Sequence, residues 1–233
     1  MPDWVLAAER AYVAAAVGGR KPDARDAPGA RDAPGARDAP DAPGARDAPG
    51  ARDASPCPSG EARVDPLGSG AATPELRARM VAAAGAVASR YLAVGTPRSF
   101  GIVIDAVTEV DAATLSLTAH RTWFAPRDVR CATTDTGAAE LAAATGGRVV
   151  SIDEALACDI VNVYSTRVRI TPAQLRRGTH VNAVSADVFD PELLTLATVV
   201  HEAGLPALAA GFVDGRQLDE LTIFVSDSAP IAI

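Results

Sequence analysis

The stretch that decides the fold runs from Gly147 to Asp187 and reads GRVVSIDEALACDIVNVYSTRVRITPAQLRRGTHVNAVSAD. It contains two apolar, β-branched runs, Val149-Val150 and Ile160–Val163, and a third run at Thr179–Val184. Short apolar runs of this kind, bounded by polar and turn-forming residues, are typical of buried strands. The stretch therefore predicts three strands in succession.

The segments between these runs carry helix-start signals. Ser151 with Glu154 three residues later forms a capping box, and Thr171-Pro172 combines an N-cap residue with proline at the first helical position. Strands that alternate with short helices indicate an open parallel sheet, in which ligands bind beyond the carboxyl ends of the strands. Asp187 and the segment Tyr164–Thr166 follow two of the strands, so we expect the chemistry there.

The same residues carry a resemblance to a known family. The phrases DIVNVYST (Asp159–Thr166) and LRRGTHVNAVSAD (Leu175–Asp187) resemble motifs of the ornithine cyclodeaminase and mu-crystallin family, and Gly178–Ser185 differs from the family pattern only at Ser185. Two further segments, Val81–Val103 and Asp214–Pro230, look like the family's approach to its first strand and its return segment. The resemblance extends from roughly Leu76 to the C-terminus.

The resemblance implies a fold and a division into domains. The fold is expected to be α/β, a Rossmann-like doubly wound sheet with a reduced substrate and dimerisation domain. Residues 1–21 would be an N-terminal helix left from the substrate domain, and residues 71–213 the Rossmann-like domain. Residues 214–233 would return to the substrate domain.

Residues 22–70 interrupt this plan with a repeating ARDAPG tract. Each unit pairs one Arg with one Asp, lacks a large apolar side chain, and ends in a Pro-Gly or similar breaker. Such a unit has nothing to bury that would offset the entropy of ordering it. The tract is therefore expected to be a disordered, low-complexity linker.

The resemblance also implies an activity: an NAD(P)-dependent enzyme that acts on an α-amino acid or a cyclic imino acid, by deaminating cyclisation or by imine reduction. The cofactor would be NAD or NADP. Asp187 matches the family's proton-transfer group, and Arg79 is the nearest candidate to bind the substrate. The implied cofactor contacts are Gly101, Ala106, Thr133, Ser165, Thr166, Asn182 and Val184.

The turn after the first expected strand departs from the family pattern. Where the family has glycines that let the backbone approach a pyrophosphate, this chain has Ile104, Asp105, Ala106 and, slightly later, Glu109. The two acids are expected to face the pyrophosphate position and repel it. An alternative therefore stays open: a catalytically degenerate homologue that acts as a non-enzymatic binding or structural protein.

Several other polar residues have structural roles as the simpler interpretation. Asp135 is expected to be the N-cap of the helix that follows it, rather than a ribose ligand. His120 ends a helix and is expected to interact with the helix dipole. His180 is expected to be a buried, hydrogen-bonded strand residue, and adjacent His201 and Glu202 make poor metal geometry, so no metal site is predicted.

The composition of the chain limits the classes of partner and the compartment that we expect. A net charge of −7 argues against a nucleic-acid or anionic-membrane partner, and no apolar run approaches the length of a membrane span. Three widely spaced cysteines fit a reducing compartment, so the cytoplasm is expected, with Cys131 and Cys158 as buried hydrophobic residues. The expected partner is a small amino-acid or imino-acid substrate, and a homodimer is left open.

Overall fold

The computed structural model describes residues 2–19, 73–209 and 220–226. The ARDAPG tract and most of the expected return segment lie outside the described residues. The strands are β1 Ser99–Ile104, β2 Asp128–Thr133, β3 Arg148–Val149, β4 Ile160–Val163, β5 His180–Ala183, β6 Thr198–His201 and β7 Thr222–Val225. The α-helices are α1 Asp3–Gly19, α2 Pro74–Leu92, α3 Val110–His120, α4 Ala138–Thr145, α5 Ile152–Leu156, α6 Pro191–Leu196 and α7 Leu205–Ala209.

The described strands form one parallel sheet in the order β3-β2-β1-β4-β5-β7-β6. From β1 the chain first builds outward through β2 and β3, then crosses back to add β4 and β5 on the other side. This reversal creates a switch point between β1 and β4, where ligands bind in open α/β sheets. The predicted doubly wound, Rossmann-like fold is confirmed.

Local sequence signals set the helix starts. Thr73 caps α2 by accepting a hydrogen bond from the backbone nitrogen of Leu76 at 3.3 Å, and Ser151 with Glu154 forms the expected capping box of α5. The second short helix of the deciding stretch is different. Pro172–Gln174 is a single 3₁₀ turn that begins with a contact between Thr171 and Gln174 and ends where the backbone of Leu175 becomes extended.

The sheet is covered on both faces, and alternation along each strand assigns residues to the two cores. Phe100, Ile102 and Ile104 of β1 pack with residues of α3 and α4, whereas Val103 packs with residues of α5. Gly101 belongs to the α5 face, where a Cβ atom would lie 2.1 Å from the carbonyl oxygen of Ala155. The glycine is thus required by the close approach of α5 to the strand.

Helix α1 is fixed to the rest of the fold by one polar cluster and one apolar cluster. The carboxylate of Glu9 forms a salt bridge with Arg90 and accepts a hydrogen bond from the hydroxyl of Tyr91 at 2.8 Å. Tyr12 packs in a buried cluster that includes Leu205 of α7. The N-terminal segment therefore packs directly on α2 and α7.

The two described cysteines are buried, as predicted. Burial raises the pKa of Cys158 to about 11, so its thiol stays protonated and packs as a small apolar group. Among the described residues, no helix is both long and apolar enough to cross a membrane.

Candidate functional site

The candidate site lies at the carboxyl edge of the sheet, where β1, β2, β4 and β5 end. The parallel register brings the residues that follow these strands to one edge. Asp105 follows β1, Thr134 follows β2, and Ser165 follows β4 by two residues. The side chains of these three residues meet in one hydrogen-bonded cluster.

Asp105 is the centre of this cluster. Its carboxylate accepts hydrogen bonds from the hydroxyls of Ser165 and Thr134, the latter at 2.6 Å. It also accepts from the backbone nitrogen and the hydroxyl of Thr166, at 2.8 Å and 3.1 Å. The buried carboxylate therefore ties together the ends of three neighbouring strands.

The protonation of Asp105 follows from this environment. Desolvation on burial acts to raise its pKa, but hydrogen bonds from Ser165, Thr134 and Thr166 to the charged form outweigh it. The pKa of Asp105 is consequently lowered from its ordinary value. Asp105 is therefore an anion, and both of its carboxylate oxygens already accept hydrogen bonds from other residues of the protein.

Glu109 occupies the turn between β1 and α3. Its Oε2 atom accepts hydrogen bonds from the backbone nitrogens of Ala106, at 2.6 Å, and Asp105, at 3.2 Å. Ala106 is the N-cap of the 3₁₀ turn Val107–Glu109 and has extended backbone angles. The backbone donors of the turn are thus bound to a carboxylate of the same turn.

This arrangement bears on the fit of a dinucleotide. In dinucleotide-binding folds, the backbone N–H groups of this turn are the donors to the pyrophosphate. Here they are directed at Glu109, so in this conformation the turn does not fit a pyrophosphate. The expectation that Asp105 also faces the pyrophosphate position was wrong, because its carboxylate is directed at Ser165 and Thr166.

The predicted cofactor residues are placed in different surroundings. Gly101 lies in the middle of β1 beneath α5, away from the edge. Thr133 ends β2, and its hydroxyl lies within hydrogen-bonding distance of the carbonyl oxygens of Asp105 and Thr136, at 3.0 Å and 2.9 Å. Ser165 is buried and also accepts from backbone nitrogens of the loop that follows it.

Asp187 lies beyond the carboxyl end of β5, in the 3₁₀ turn Ala186–Val188, and is exposed. The hydroxyl of Ser185 lies 3.2 Å from Oδ2 of Asp187 and accepts a hydrogen bond from its backbone nitrogen. Arg169 donates to the carbonyl oxygen of Asp187 at 3.3 Å. The backbone of Asp187 is held by these contacts while its side chain is exposed to solvent.

Two other predicted residues are placed on the surface. Arg79 is exposed on α2 and pairs with Glu75 at 2.6 Å, one helical turn away. Asp135 was expected to cap α4, and this was wrong. The N-cap position is Gly137, in a left-handed conformation with φ of 97°, and Asp135 instead pairs with Arg167 at 3.6 Å.

Sequence reasoning missed a buried polar cluster between the sheet and helices α2 and α3. The amide of Asn182 donates to Oδ1 of Asn162 at 2.8 Å and to the hydroxyl of Ser89 at 2.9 Å. A ring nitrogen of His180 lies 3.0 Å from Oδ1 of Asn182. Asn162 within β4, and the alternation of His180 and Asn182 along β5, were the available signal. His180 is buried and hydrogen-bonded, as predicted.

His120 belongs to the same cluster, and its predicted interaction with the helix dipole was wrong. Its Nδ1 donates to the carbonyl oxygen of Ser116 at 2.7 Å, and its Nε2 lies 2.9 Å from the hydroxyl of Ser89. Complete burial lowers the pKa of His120 to about 4. The ring is therefore neutral at pH 7 and carries no charge for the dipole to bind.

A small cavity opens next to this cluster at the carboxyl ends of β4, β5 and β7. It offers about 20 Å³, room for one or two water molecules. Its lining includes Ser116, Asn162, Asn182, Val184 and Ser226. Two of the predicted cofactor residues, Asn182 and Val184, thus border this cavity. Among the described residues, no group of three or more side chains is arranged to bind a metal.

No family model and no curated protein matches the chain. Solved structures do. An archaeal alanine dehydrogenase dimer with bound NAD is 24% identical, covers 67% of this chain and 60% of its own, and has a TM-score of 0.56. A Δ1-pyrroline-2-carboxylate reductase of Thermococcus litoralis, in complex with NADH and L-proline, is 21% identical, covers 66% and 60%, and has a TM-score of 0.54.

A probable ornithine cyclodeaminase of Bordetella pertussis Tohama I is 20% identical, covers 67% of this chain and 62% of its own, and has a TM-score of 0.50. The chain therefore spans about 60% of the length of the structures it matches. Identities at this level establish a shared fold. The resemblance inferred from the sequence is confirmed at that level.

Proposed function

We propose that the chain is a member of the ornithine cyclodeaminase and mu-crystallin family and acts as an NAD(P)-dependent enzyme on an α-amino acid or a cyclic imino acid. Two independent findings support this proposal. The motif from Gly178 to Ser185 resembles the family pattern, and the fold is shared with solved enzymes that handle alanine or pyrroline-2-carboxylate. The reaction would be deaminating cyclisation or imine reduction.

The placement of Asp187 carries the proposal. Its exposed carboxylate lies just beyond β5, at the edge where parallel sheets bind ligands, and the Ser185 hydroxyl lies close to one of its oxygens. A carboxylate in this position can accept a proton from the ammonium group of an amino acid, or return one to an imine nitrogen. Arg79 has no such support, because its guanidinium is paired with Glu75 on the surface of α2.

The domain division is part of the proposal. Residues 71–213 would form the nucleotide-fold domain, residues 1–21 and 214–233 the remainder of a substrate and dimerisation domain, and residues 22–70 a linker between them. A homodimer belongs to the proposal because the archaeal alanine dehydrogenase is described as a dimer.

The test is a titration of the purified full-length chain with NADH and NADPH, followed by nucleotide fluorescence and by melting temperature. Saturable binding in the micromolar range, with a rise in melting temperature, is the expected result. The absence of saturation with both nucleotides would contradict the proposal.

The turn between β1 and α3 favours a second candidate. Since Glu109 is bound to the amides that a pyrophosphate would need, the chain is alternatively a degenerate homologue with a binding or structural role and no catalysis. The same titration separates the two candidates, because the second predicts no nucleotide binding.

A further inference from the structure

In the turn between β1 and α3, the carboxylate of Glu109 is hydrogen-bonded to backbone amides of the same turn. We infer that Glu109 competes with phosphate for the backbone amides of Asp105 and Ala106, and so limits the affinity of the chain for a dinucleotide. The inference rests on the proposed function in one respect, the identity of the natural anion. The competition itself is a property of the turn.

The competition follows from hydrogen-bond geometry. An amide N–H makes one strong hydrogen bond, and the nitrogen of Ala106 already lies 2.6 Å from Oε2 of Glu109. The same oxygen also accepts from the nitrogen of Asp105, so one carboxylate oxygen bridges two adjacent amides. A phosphate oxygen bound in this turn would need the same place, and its charge would repel the carboxylate while Glu109 remained nearby.

The backbone of the turn is fixed by the loop after β2. Gly137 packs so closely that a Cβ atom there would lie 2.8 Å from Cα of Val107, and the nitrogen of Thr134 donates to the carbonyl oxygen of Ile104 at 3.1 Å. The Glu109 side chain, in contrast, is only partly buried. Release of the amides therefore requires rotation of one side chain and no refolding of the turn.

Asp105 does not compete in this way. Its carboxylate is directed at Ser165, Thr134 and Thr166, and its partners are hydroxyls and one amide of the loop after β4. Of the two acids in the turn, Glu109 is the one whose removal frees donors. This difference makes the inference specific to a single residue.

The experiment compares wild type with Glu109→Ala and Glu109→Gln. The Ala variant frees both amides. The Gln variant keeps an oxygen acceptor of the same reach but removes the charge. Asp111→Asn is the matched control. Asp111 is an exposed acid in the first turn of α3, so this substitution removes the same charge two residues away from Glu109. Each protein is titrated with inorganic pyrophosphate and, separately, with NADH, by calorimetry and by melting temperature.

We expect Glu109→Ala to bind pyrophosphate at least about tenfold more tightly than wild type, in line with the strength of a charge-assisted hydrogen bond. Glu109→Gln should fall between the two, and Asp111→Asn should stay within about twofold of wild type, since an exposed charge is screened. A melting temperature for each variant without ligand verifies that it is folded.

The two probes separate the inference from the proposed function. If Glu109→Ala gains affinity for pyrophosphate but does not bind NADH, the competition is supported and the proposed cofactor is contradicted. If wild type binds NADH as tightly as Glu109→Ala does, the cofactor is supported and the competition is overturned. Equal pyrophosphate affinity in wild type and Glu109→Ala, or an equal gain in Asp111→Asn, would also overturn it.

Discussion

The carboxylate of Glu109 lies 2.6 Å from the backbone nitrogen of Ala106, within the turn that joins β1 to α3. The backbone nitrogen of Glu109 in turn donates to the carbonyl oxygen of Ala106 at 3.1 Å, at the start of the 3₁₀ turn that leads into α3. In this way the backbone nitrogens of Asp105, Ala106 and Glu109 find their acceptors within the turn itself. Whether the turn can bind a dinucleotide depends on how readily the contact between Glu109 and the backbone nitrogen of Ala106 breaks.

Gly101→Ala should destabilise the chain by roughly 2 kcal/mol or more, because the new Cβ atom would meet the carbonyl oxygen of Ala155 and displace α5. Gly85→Ala is the matched control. There a Cβ atom would make ordinary contacts of 3.6 Å or more with Asn182, and alanine is the better helix former. Urea unfolding of both variants tests this prediction, and equal stability of Gly101→Ala and wild type would contradict it.

Asp105→Asn should cost roughly 2 kcal/mol or more at pH 7, because an amide nitrogen would face donors that now bind a carboxylate. Asp135→Asn, an exposed acid in the neighbouring loop, should change stability by no more than about 0.5 kcal/mol. Denaturant titration at pH 7 measures both.

The Asp105 contribution also has a pH dependence. Because the folded pKa of Asp105 is lowered, its stabilisation is present above the unfolded pKa, about 3.9, and is lost as the pH falls through the folded value. Wild type should therefore lose stability in acid more steeply than Asp105→Asn does. Parallel acid profiles of the two proteins would be evidence against the cluster.

His120 gives a separate pH window. Its folded pKa of about 4 lies below the unfolded value of about 6.5, so the unfolded chain binds a proton first and stability falls as the pH drops from 6.5 to 4. The loss from this residue should approach about 3 kcal/mol. His120→Gln should be less stable at pH 7 but should show a shallower fall through this window. An unchanged slope in the variant would contradict the assigned neutral ring.

Much of the fold could be predicted from short-range signals. The capping residues Thr73 and Ser151 and the apolar runs of β4 and β5 located helix starts and strands to within a few residues, because these signals act over a single turn or strand. The 3₁₀ turn at Pro172 differed from expectation, since the backbone becomes extended at Leu175, where the side chain packs against the core.

The site was less predictable, because its contacts join residues far apart in the sequence. Asp105 and Ser165 are 60 residues apart, and Ser89 and Asn182 are 93 apart. Only the register of the sheet and the docking of α2 bring them together. The direction of the Asp105 carboxylate is likewise set by partners about 60 residues away, whereas Glu109 finds its partners within its own turn.

The most direct test of the proposed function is turnover by wild type and by Asp187→Asn. Both proteins should be assayed on ornithine, lysine, alanine and Δ1-pyrroline-2-carboxylate with each nicotinamide cofactor. The proposal predicts detectable wild-type turnover that falls by roughly 100-fold or more in Asp187→Asn, with the unfolding free energy unchanged to within about 0.5 kcal/mol because the side chain is exposed. Turnover that Asp187→Asn leaves untouched would contradict the role of Asp187, and no wild-type turnover on any of these compounds would contradict the proposed activity.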